Sequence, residues 1–328
     1  MKTKIYMAPL EGLTGHIYRR AYEKYFGRGQ VDKYFIPFIS PNSSDGYTTR
    51  EVNDINPDNN KGMVAIPQIM ANNTEYFLKG AAMLKDLGYN EINLNVGCPS
   101  GTVVSKYRGA GFLAIPDELD RFLYEVLDSP VMAGVKMSVK TRLGMTDEAE
   151  FERLLEIYNR YDFNEIIIHA RVRADKYNGT PRMGAFEKAL SGSKNQVCYN
   201  GDVNTCEDFV RITDNYGGKI NAVMLGRGLI ADPALINVIA ADNPMQYERD
   251  LKNDKKNIKA FMQEVFLGYL EAMDGDPKAM HKMKEIWVYM GSHFIGGEKI
   301  LKDIKKAQRI NDYTAAVETF FANAELKG

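Results

Sequence analysis

The sequence predicts an α/β fold, a (β/α)8 TIM barrel with a C-terminal all-α helical bundle domain. Three observations carry this expectation. Eight short apolar runs, rich in β-branched and aromatic residues, are spread from Lys4 to Arg227, with helix-like stretches between most of them. From about Ala241 onward the β signal stops and only helical periodicity remains. A doubly wound sheet should carry a phosphate-binding glycine fingerprint after its first strand, and Pro9-Leu10-Glu11-Gly12 is not one. The expected division is residues 1–240 for the barrel and 241–328 for the helical domain.

The strands are expected at 4–10, 33–39, 63–70, 91–96, 131–140, 165–171, 196–203 and 222–227. Amphipathic helices are expected at 14–25, 73–87, 116–127, 147–161 and 205–215. Their starts carry capping residues: Asn73-Thr74-Glu75, Thr146-Asp147-Glu148 and Thr205-Cys206-Glu207 place a cap oxygen and early acids where the helix dipole favours them. The polar, turn-rich stretch 40–62 reads as a long loop on the upper face of the barrel. Beyond the barrel, helices are expected at 254–273, 278–291, 298–309 and 313–324, packed as a bundle.

At 328 residues the chain is long for one compact domain and suits a barrel with an appendage. Its 45% hydrophobic content supports a large core. A formal net charge of −1 excludes a globally basic nucleic-acid binder while leaving room for a local basic face. The three cysteines, Cys98, Cys198 and Cys206, form neither a disulfide framework nor a zinc pattern, which points to a reducing, cytoplasmic setting. His16, His281 and His293 form no ligand pattern, so no metal is expected. The apolar run after Met1-Lys2-Thr3-Lys4 is short and breaks at Pro9, so no leader is expected. No apolar run approaches the roughly 20 residues of a membrane span.

Active sites of parallel barrels form at the carboxyl ends of the strands. There the sequence delivers Ala8-Pro9-Leu10-Glu11, Gln68, Asn95 with Cys98, Lys140 with Arg142, His169 with Arg171, Asn200-Gly201-Asp202 and Gly226-Arg227-Gly228. Together they describe a polar mouth on an apolar barrel. Barrels often bind phosphate after strands seven and eight. Bare backbone at Asn200-Gly201 and Gly226-Arg227-Gly228, with Arg227 as a forked cation, fits that use. Either glycine pair alone would read as an ordinary turn. Lys140 closes an otherwise apolar strand, where a cation can stabilise negative charge on a ring such as a reduced flavin; the plainer reading is a solvated lysine before a turn. Gln68 could read an amide-bearing ring or simply cap its strand. His169 follows Ile166-Ile167-Ile168 and precedes Arg171 at strand spacing, which favours a site role over a core one.

Cys98 is the residue most marked for chemistry. In Asn95-Val96-Gly97-Cys98-Pro99-Ser100 a thiol sits on a Gly/Pro-shaped turn directly after an apolar-alternating strand. A thiol near its ordinary pKa of about 8.5 is mostly protonated at neutral pH and can donate a proton as well as attack. Cys198, inside a strand, and Cys206, starting a helix, read as packing and capping residues.

With these motifs in order the chain resembles the tRNA-dihydrouridine synthases of the bacterial type. The matching pieces are Ala8-Pro9-Leu10-Glu11-Gly12, Gln68, the Asn95–Ser100 motif, Arg108-Gly109-Ala110-Gly111, Val139-Lys140-Thr141-Arg142-Leu143-Gly144, His169-Ala170-Arg171, Asn200-Gly201-Asp202-Val203 and Leu225-Gly226-Arg227-Gly228. The resemblance implies reduction of the C5=C6 bond of a tRNA uridine, with flavin mononucleotide (FMN) as cofactor and NADPH as reductant, NADH being the alternative. It implies Cys98 as proton donor. Pro9, Gln68, Lys140, Asn200, Asp202, Gly226 and Arg227 would hold FMN, with Ala8 and Leu10 lining it, Gly201 in the phosphate loop, and His169, Asn95 and Arg171 in the flavin and substrate shell. Arg142 would meet the substrate side. Asn93 and Ala170 stand where the family often has Asp and Gly, and Val172 breaks the commoner Arg-Thr-Arg.

The C-terminal helices offer cations for RNA phosphates: Lys299, Lys302, Lys305, Lys306 and Arg309 on one, Lys278, Lys282 and Lys284 on another beside Trp287 and Tyr289. By themselves these read equally as a solvated charged face; the resemblance makes Lys282, Lys305 and Arg309 tRNA contacts. The expected partner is tRNA, and the chain is expected to act as a monomer. The alternative is a dihydroorotate dehydrogenase-like FMN oxidoreductase acting on a small pyrimidine, which would have no use for a basic helical domain.

Overall fold

The computed structural model describes residues 2–43 and 46–327. The chain divides into two compact units. One comprises Met1–Pro9, Asp32–Asp202 and Ile212–Leu225; the other comprises Leu10–Val31, Val203–Arg211 and Gly226–Gly328.

The first unit is a closed parallel barrel. Its strands are β1 (Lys4–Met7), β2 (Lys33–Phe35), β3 (Ala65–Ile66), β4 (Gln68–Ile69), β5 (Glu91–Val96), β6 (Lys136–Arg142), β7 (Glu165–His169), β8 (Val197–Asn200) and β9 (Ala222–Leu225). They run β3-β2-β1-β9-β8-β7-β6-β5-β4, every neighbour parallel. β3 and β4 are halves of one segment, the strand expected at 63–70, parted by Pro67. Proline has no N–H for the ladder, so the segment breaks there. Its first half pairs with β2 and its second with β5, and the Pro67 carbonyl accepts from the Asn93 N–H at 2.9 Å. The nine-stranded sheet thereby closes as an eight-segment barrel.

Side chains alternate in and out along each strand. Tyr6, Phe35, Ile66, Ile167, Cys198 and Met224 meet in one buried cluster. Below it, at the first residues of β2, β5 and β7, Lys33 bridges Glu91 (2.8 Å) and the fully buried Glu165 (2.7 Å). Burial pushes the Lys33 ammonium down, but the two carboxylates outweigh it and hold it above its ordinary value. This polar plug lies at the amino end of the barrel, where charges serve stability.

Several boundaries differ from those the sequence suggests. Residues 130–132 form a 3-10 turn and β6 starts only at Lys136, after Gly134 at φ +78°. The 40–62 stretch, whose residues 44 and 45 lie outside the described ones, carries helix Thr49–Ile55 with a capping box between Thr48 and Glu51. Helix Glu150–Tyr158 starts later than the Thr146 cap suggests, because the Glu150 carboxylate itself accepts from the N–H groups of Met145, Thr146 and Asp147. Helix Met183–Gly192, between β7 and β8, adds to the expected set.

The second unit holds the long helices Leu251–Ala272, Asp276–Met290, Glu298–Lys306 and Ile310–Asn323. Their core is aromatic. Trp287 is fully buried, packs on Phe320 at 4.9 Å and donates its indole N–H to the Tyr313 hydroxyl at 3.0 Å. It is a core residue rather than part of a basic surface. Helix His16–Tyr22 belongs to this unit, with Tyr18 edge-on to Phe261 at 5.1 Å. Two-residue strands Phe294–Ile295 and Glu325–Leu326 pair antiparallel, a small β element in a region expected to be all helical. Among the described residues no helix is long and apolar enough to cross a membrane.

Candidate active site

At the end of β5 the chain turns sharply, and one side chain dictates the turn. The Asn95 Oδ1 accepts from the backbone N–H of Gly97 (3.0 Å) and of Cys98 (2.8 Å). The Asx geometry pins the cysteine loop to the barrel. From the other side the Cys98 carbonyl accepts from the Ala110 N–H at 2.9 Å. Gly109 makes that approach possible: it sits at φ +54°, and a Cβ there would meet the Cys98 Cβ and carbonyl oxygen at 2.9 Å. Cys98 is half-buried and free. Cys198 is also free, but it is buried in β8, and burial pushes its thiol well above the ordinary value.

Below Asn95 a chain of buried amides crosses three strands. The Asn95 Nδ2 donates to the Gln68 Oε1 at 2.7 Å, the Gln68 Nε2 to the Asn93 Oδ1 at 2.7 Å, and the Asn93 Nδ2 to the Ser138 Oγ at 2.9 Å. Gln68 is therefore tied into the barrel wall, with one N–H left over.

β6 and β7 deliver three cations to this mouth, and they differ in what they touch. Arg142 is buried and satisfied by backbone: its Nε donates to the Gly97 carbonyl (2.8 Å), its Nη1 to those of Val172 (3.1 Å) and Lys176 (2.9 Å). Its guanidinium lies over the Tyr177 ring at 5.5 Å, and Tyr177 also approaches the His169 ring at 6.2 Å. Arg171 is fully buried and grips both Asp202 oxygens (3.0 and 2.6 Å) and the Asn178 and Gly179 carbonyls (3.2 and 2.6 Å), with His169 Nε2 at 3.4 Å. Lys140, by contrast, has no ion pair or hydrogen bond from its ammonium among the described residues. Burial pushes it down to about 8, with neighbouring Arg142 adding to the push, and it lies within electrostatic reach of Cys98.

The remaining barrel residues lie at strand ends. Ala8 is buried and donates its N–H to the Leu225 carbonyl at 2.7 Å, and Pro9 follows, half-buried. The Asn200 Nδ2 donates to the Met224 carbonyl at 2.9 Å, and Gly201 and Asp202 follow, half-buried. The loop after β7 is held by Arg182 on Asp175 (3.0 Å) and Glu148 (3.1 Å). Tyr177 rides on this loop; no periodicity or motif marks it in the sequence.

The second unit holds the other expected residues. The Leu10 N–H donates to the Thr14 hydroxyl at 2.8 Å. Gly226 precedes the short helix Arg227–Ala231, and Arg227 is half-exposed. Lys282 pairs with Glu285 at 2.9 Å and reaches the Gly12 carbonyl at 3.3 Å, so it is partly committed. Lys305 and Arg309 are exposed, as are Lys299, Lys302 and Lys306. Among the described residues no cluster of three or more His, Cys, Asp or Glu could hold a metal ion.

The fold and this mouth define a parallel-barrel protein with a loop-held thiol after β5 and, on neighbouring β6, an ammonium with no ion pair or hydrogen bond among the described residues. Comparison with known proteins sharpens the class. A family model described as dihydrouridine synthase matches residues 6–324, and the chain belongs to that family. A probable tRNA-dihydrouridine synthase of Staphylococcus epidermidis is 23% identical over 334 residues, covering 98% of this chain and 94% of the relative. A tRNA-dihydrouridine(16) synthase of Neisseria meningitidis serogroup B is 24% identical over 326 residues, covering 97% and 95%. Among solved structures, a variant of NCR from Zymomonas mobilis is similar with a TM-score of 0.49 at 15% identity, covering 72% of this chain and 85% of that one.

Proposed function

We propose that this chain reduces the C5=C6 bond of a uridine in tRNA to 5,6-dihydrouridine, with FMN as cofactor, NADPH or NADH as reductant, and Cys98 as the proton donor. The observation that carries the reading is that the Cys98 turn is held by Asn95, the ladder partner of Lys140 across β5 and β6, in a chain of this family.

The donor set fits an electron-rich ring. A half-buried ammonium without an anion is costly unless a ligand supplies one, and Lys140 is such a group. Gln68, after donating one N–H to Asn93, and Asn95, after donating one to Gln68, each keep one amide N–H that can donate to ring carbonyls. FMN bound there would supply hydride for C6 of the base. Cys98 then gives its proton to C5, and the turn built by Asn95 fixes the backbone that carries its thiol. Lys140 offsets the negative charge that develops in the mouth. Arg142 fixes the same turn through the Gly97 carbonyl and presents Tyr177. Ala8 is assigned to line the cofactor, Pro9, Asn200 and Asp202 to hold it, and Gly201 to its phosphate loop. Leu10, Gly226 and Arg227 belong to the other unit and join the set on sequence alone. Exposed cations of the second unit, Lys305 and Arg309 among them, are assigned to tRNA phosphates. The target base must leave its stack to be reduced, at a cost of a few kcal/mol that is least in loops. The chain is proposed to work as a monomer in the cytoplasm.

The test is incubation of the flavin-loaded protein with unmodified tRNA and NADPH, followed by mapping of dihydrouridine by mass. A two-dalton gain at a defined uridine is expected. Turnover of free orotate with none of tRNA would replace this reading by the small-pyrimidine one.

A further inference from the structure

The amide chain beneath Asn95 has a sense, and the sense is forced. The Asn95 Oδ1 is taken by two backbone N–H groups, so only its Nδ2 can face Gln68. Gln68 must therefore present its oxygen to Asn95 and its Nε2 to Asn93. Asn93 must answer with its oxygen, which turns its own Nδ2 to Ser138, whose hydroxyl oxygen accepts. Gln68, Asn93 and Ser138 are 1%, 0% and 0% exposed, so water cannot substitute for a missing partner. Strand register builds the chain: Gln68 is the ladder partner of Asn93, and Asn93 of Ser138.

We propose that Asn93 and Ser138 are positioning residues: from the wall of the barrel they lock the Gln68 amide in one orientation and, through Asn95, hold the Cys98 turn in place. Neither touches the mouth itself. The inference rests on the function proposed above for one of its two readouts; the other is independent of it.

The experiment compares Asn93→Leu, Asn93→Asp and Ser138→Ala with wild type in the full-length protein as purified. One readout is the rate at which iodoacetamide alkylates Cys98, followed by mass of its peptide. The other is kcat and KM for dihydrouridine formation. In Asn93→Leu the Gln68 Nε2 loses its acceptor, and alkylation should quicken by about threefold or more while kcat falls by about tenfold and KM stays within about twofold. Asn93→Asp should restore both to within about twofold, because a carboxylate accepts from Gln68 Nε2 and from the Ser138 hydroxyl at once. Ser138→Ala removes only the outer anchor and should fall between the two. A folded Asn93→Leu protein that matches wild type in both readouts overturns the proposal, as does an Asn93→Asp protein as impaired as the leucine variant. If Asn93→Leu does not fold, Ser138→Ala decides: wild-type alkylation and wild-type kcat overturn it. If wild type forms no dihydrouridine, the functional reading fails, while the alkylation rates still judge the positioning.

Discussion

Replacing Lys140 with methionine keeps an unbranched stem and removes the charge. Burial, with Arg142 adding to it, takes the Lys140 ammonium from 10.5 to about 8. At 1.36 kcal/mol per pH unit, that gap sets a ceiling of about 3 kcal/mol on the cost of keeping the head charged. Lys140 retains partial contact with water, and screening brings the figure to about 1–2 kcal/mol. The cost has a pH window. Below about pH 8 both folded and unfolded chains are protonated at this site, and the cost is present in full. Between about 8 and 10.5 the unfolded chain holds more protons than the folded one, so wild-type stability rises with pH through that window. The assay is urea unfolding of flavin-free protein, wild type against Lys140→Met, at pH 7 and again near pH 10. The methionine variant should be the more stable at pH 7 by about 1–2 kcal/mol, and the gap should shrink at the higher pH. The same variant should lose about a hundredfold in kcat for dihydrouridine formation, since the charge that burdens the flavin-free fold is the one proposed to serve the reaction. A variant less stable than wild type at pH 7, or a gap that ignores pH, would refute the reasoning by showing that the ammonium already has a partner.

Three further outcomes are expected. Cys98→Ala should keep the flavin absorption band and lose most product formation; turnover at the wild-type rate would remove Cys98 from the proton step. Gly228→Ala should lower the urea midpoint by the equivalent of about 1–3 kcal/mol, because its Cβ would lie 2.2 Å from the Val203 carbonyl oxygen with backbone on both sides; an unchanged midpoint would mean that this backbone pair can part freely. On helix Glu298–Lys306 the residues Lys299, Lys302 and Lys306 share one exposed face, opposite Ile304. Reversing all three to Glu should weaken tRNA binding and flatten its dependence on log salt concentration by about 0.7–0.9 for each phosphate no longer neutralised, read by filter binding from low to moderate salt. A slope equal to wild type would place the RNA elsewhere.

What the sequence shows of this site is what lies close together in the chain. The Asn95–Ser100 turn is legible because the Asn cap, the glycine and the thiol occupy six successive positions. Lys140 is legible because it breaks an apolar run, although the strand expected to close there runs on to Arg142. The Thr48–Glu51 capping box is visible too, as a Thr followed three residues on by Glu, yet the surrounding turn-rich composition hides its helix. By contrast the Ser138–Asn93–Gln68 chain joins residues 45 and 25 positions apart, and only strand register brings them together. Composition alone starts β6 too early because Val131 and Met132 have strand character but sit in a turn before Gly134. Trp287 groups with its charged neighbours in the sequence because a helix of alternating lysines and apolar residues does not disclose which face its one indole takes.

The same distinction separates the three cations that sequence alone treats alike. Arg142 and Arg171 have planar forks, and the fold uses them as such: one gathers three backbone carbonyls from two loops, the other clasps a carboxylate and two more carbonyls. Every one of those bonds holds a loop at the barrel mouth, and a guanidinium so engaged has little freedom to follow a changing charge. Lys140 carries a compact, rotatable ammonium with no such ties, and its value near 8 leaves it able to gain or shed a proton as its surroundings change. The division of labour follows from the chemistry of the head groups. The arginines shape the mouth in advance, and the lysine is the group proposed to answer a ligand. The stability cost of Lys140 and the cost of removing it from the reaction are therefore two readings of one uncompensated charge, which is why the methionine variant is expected to move them in opposite directions.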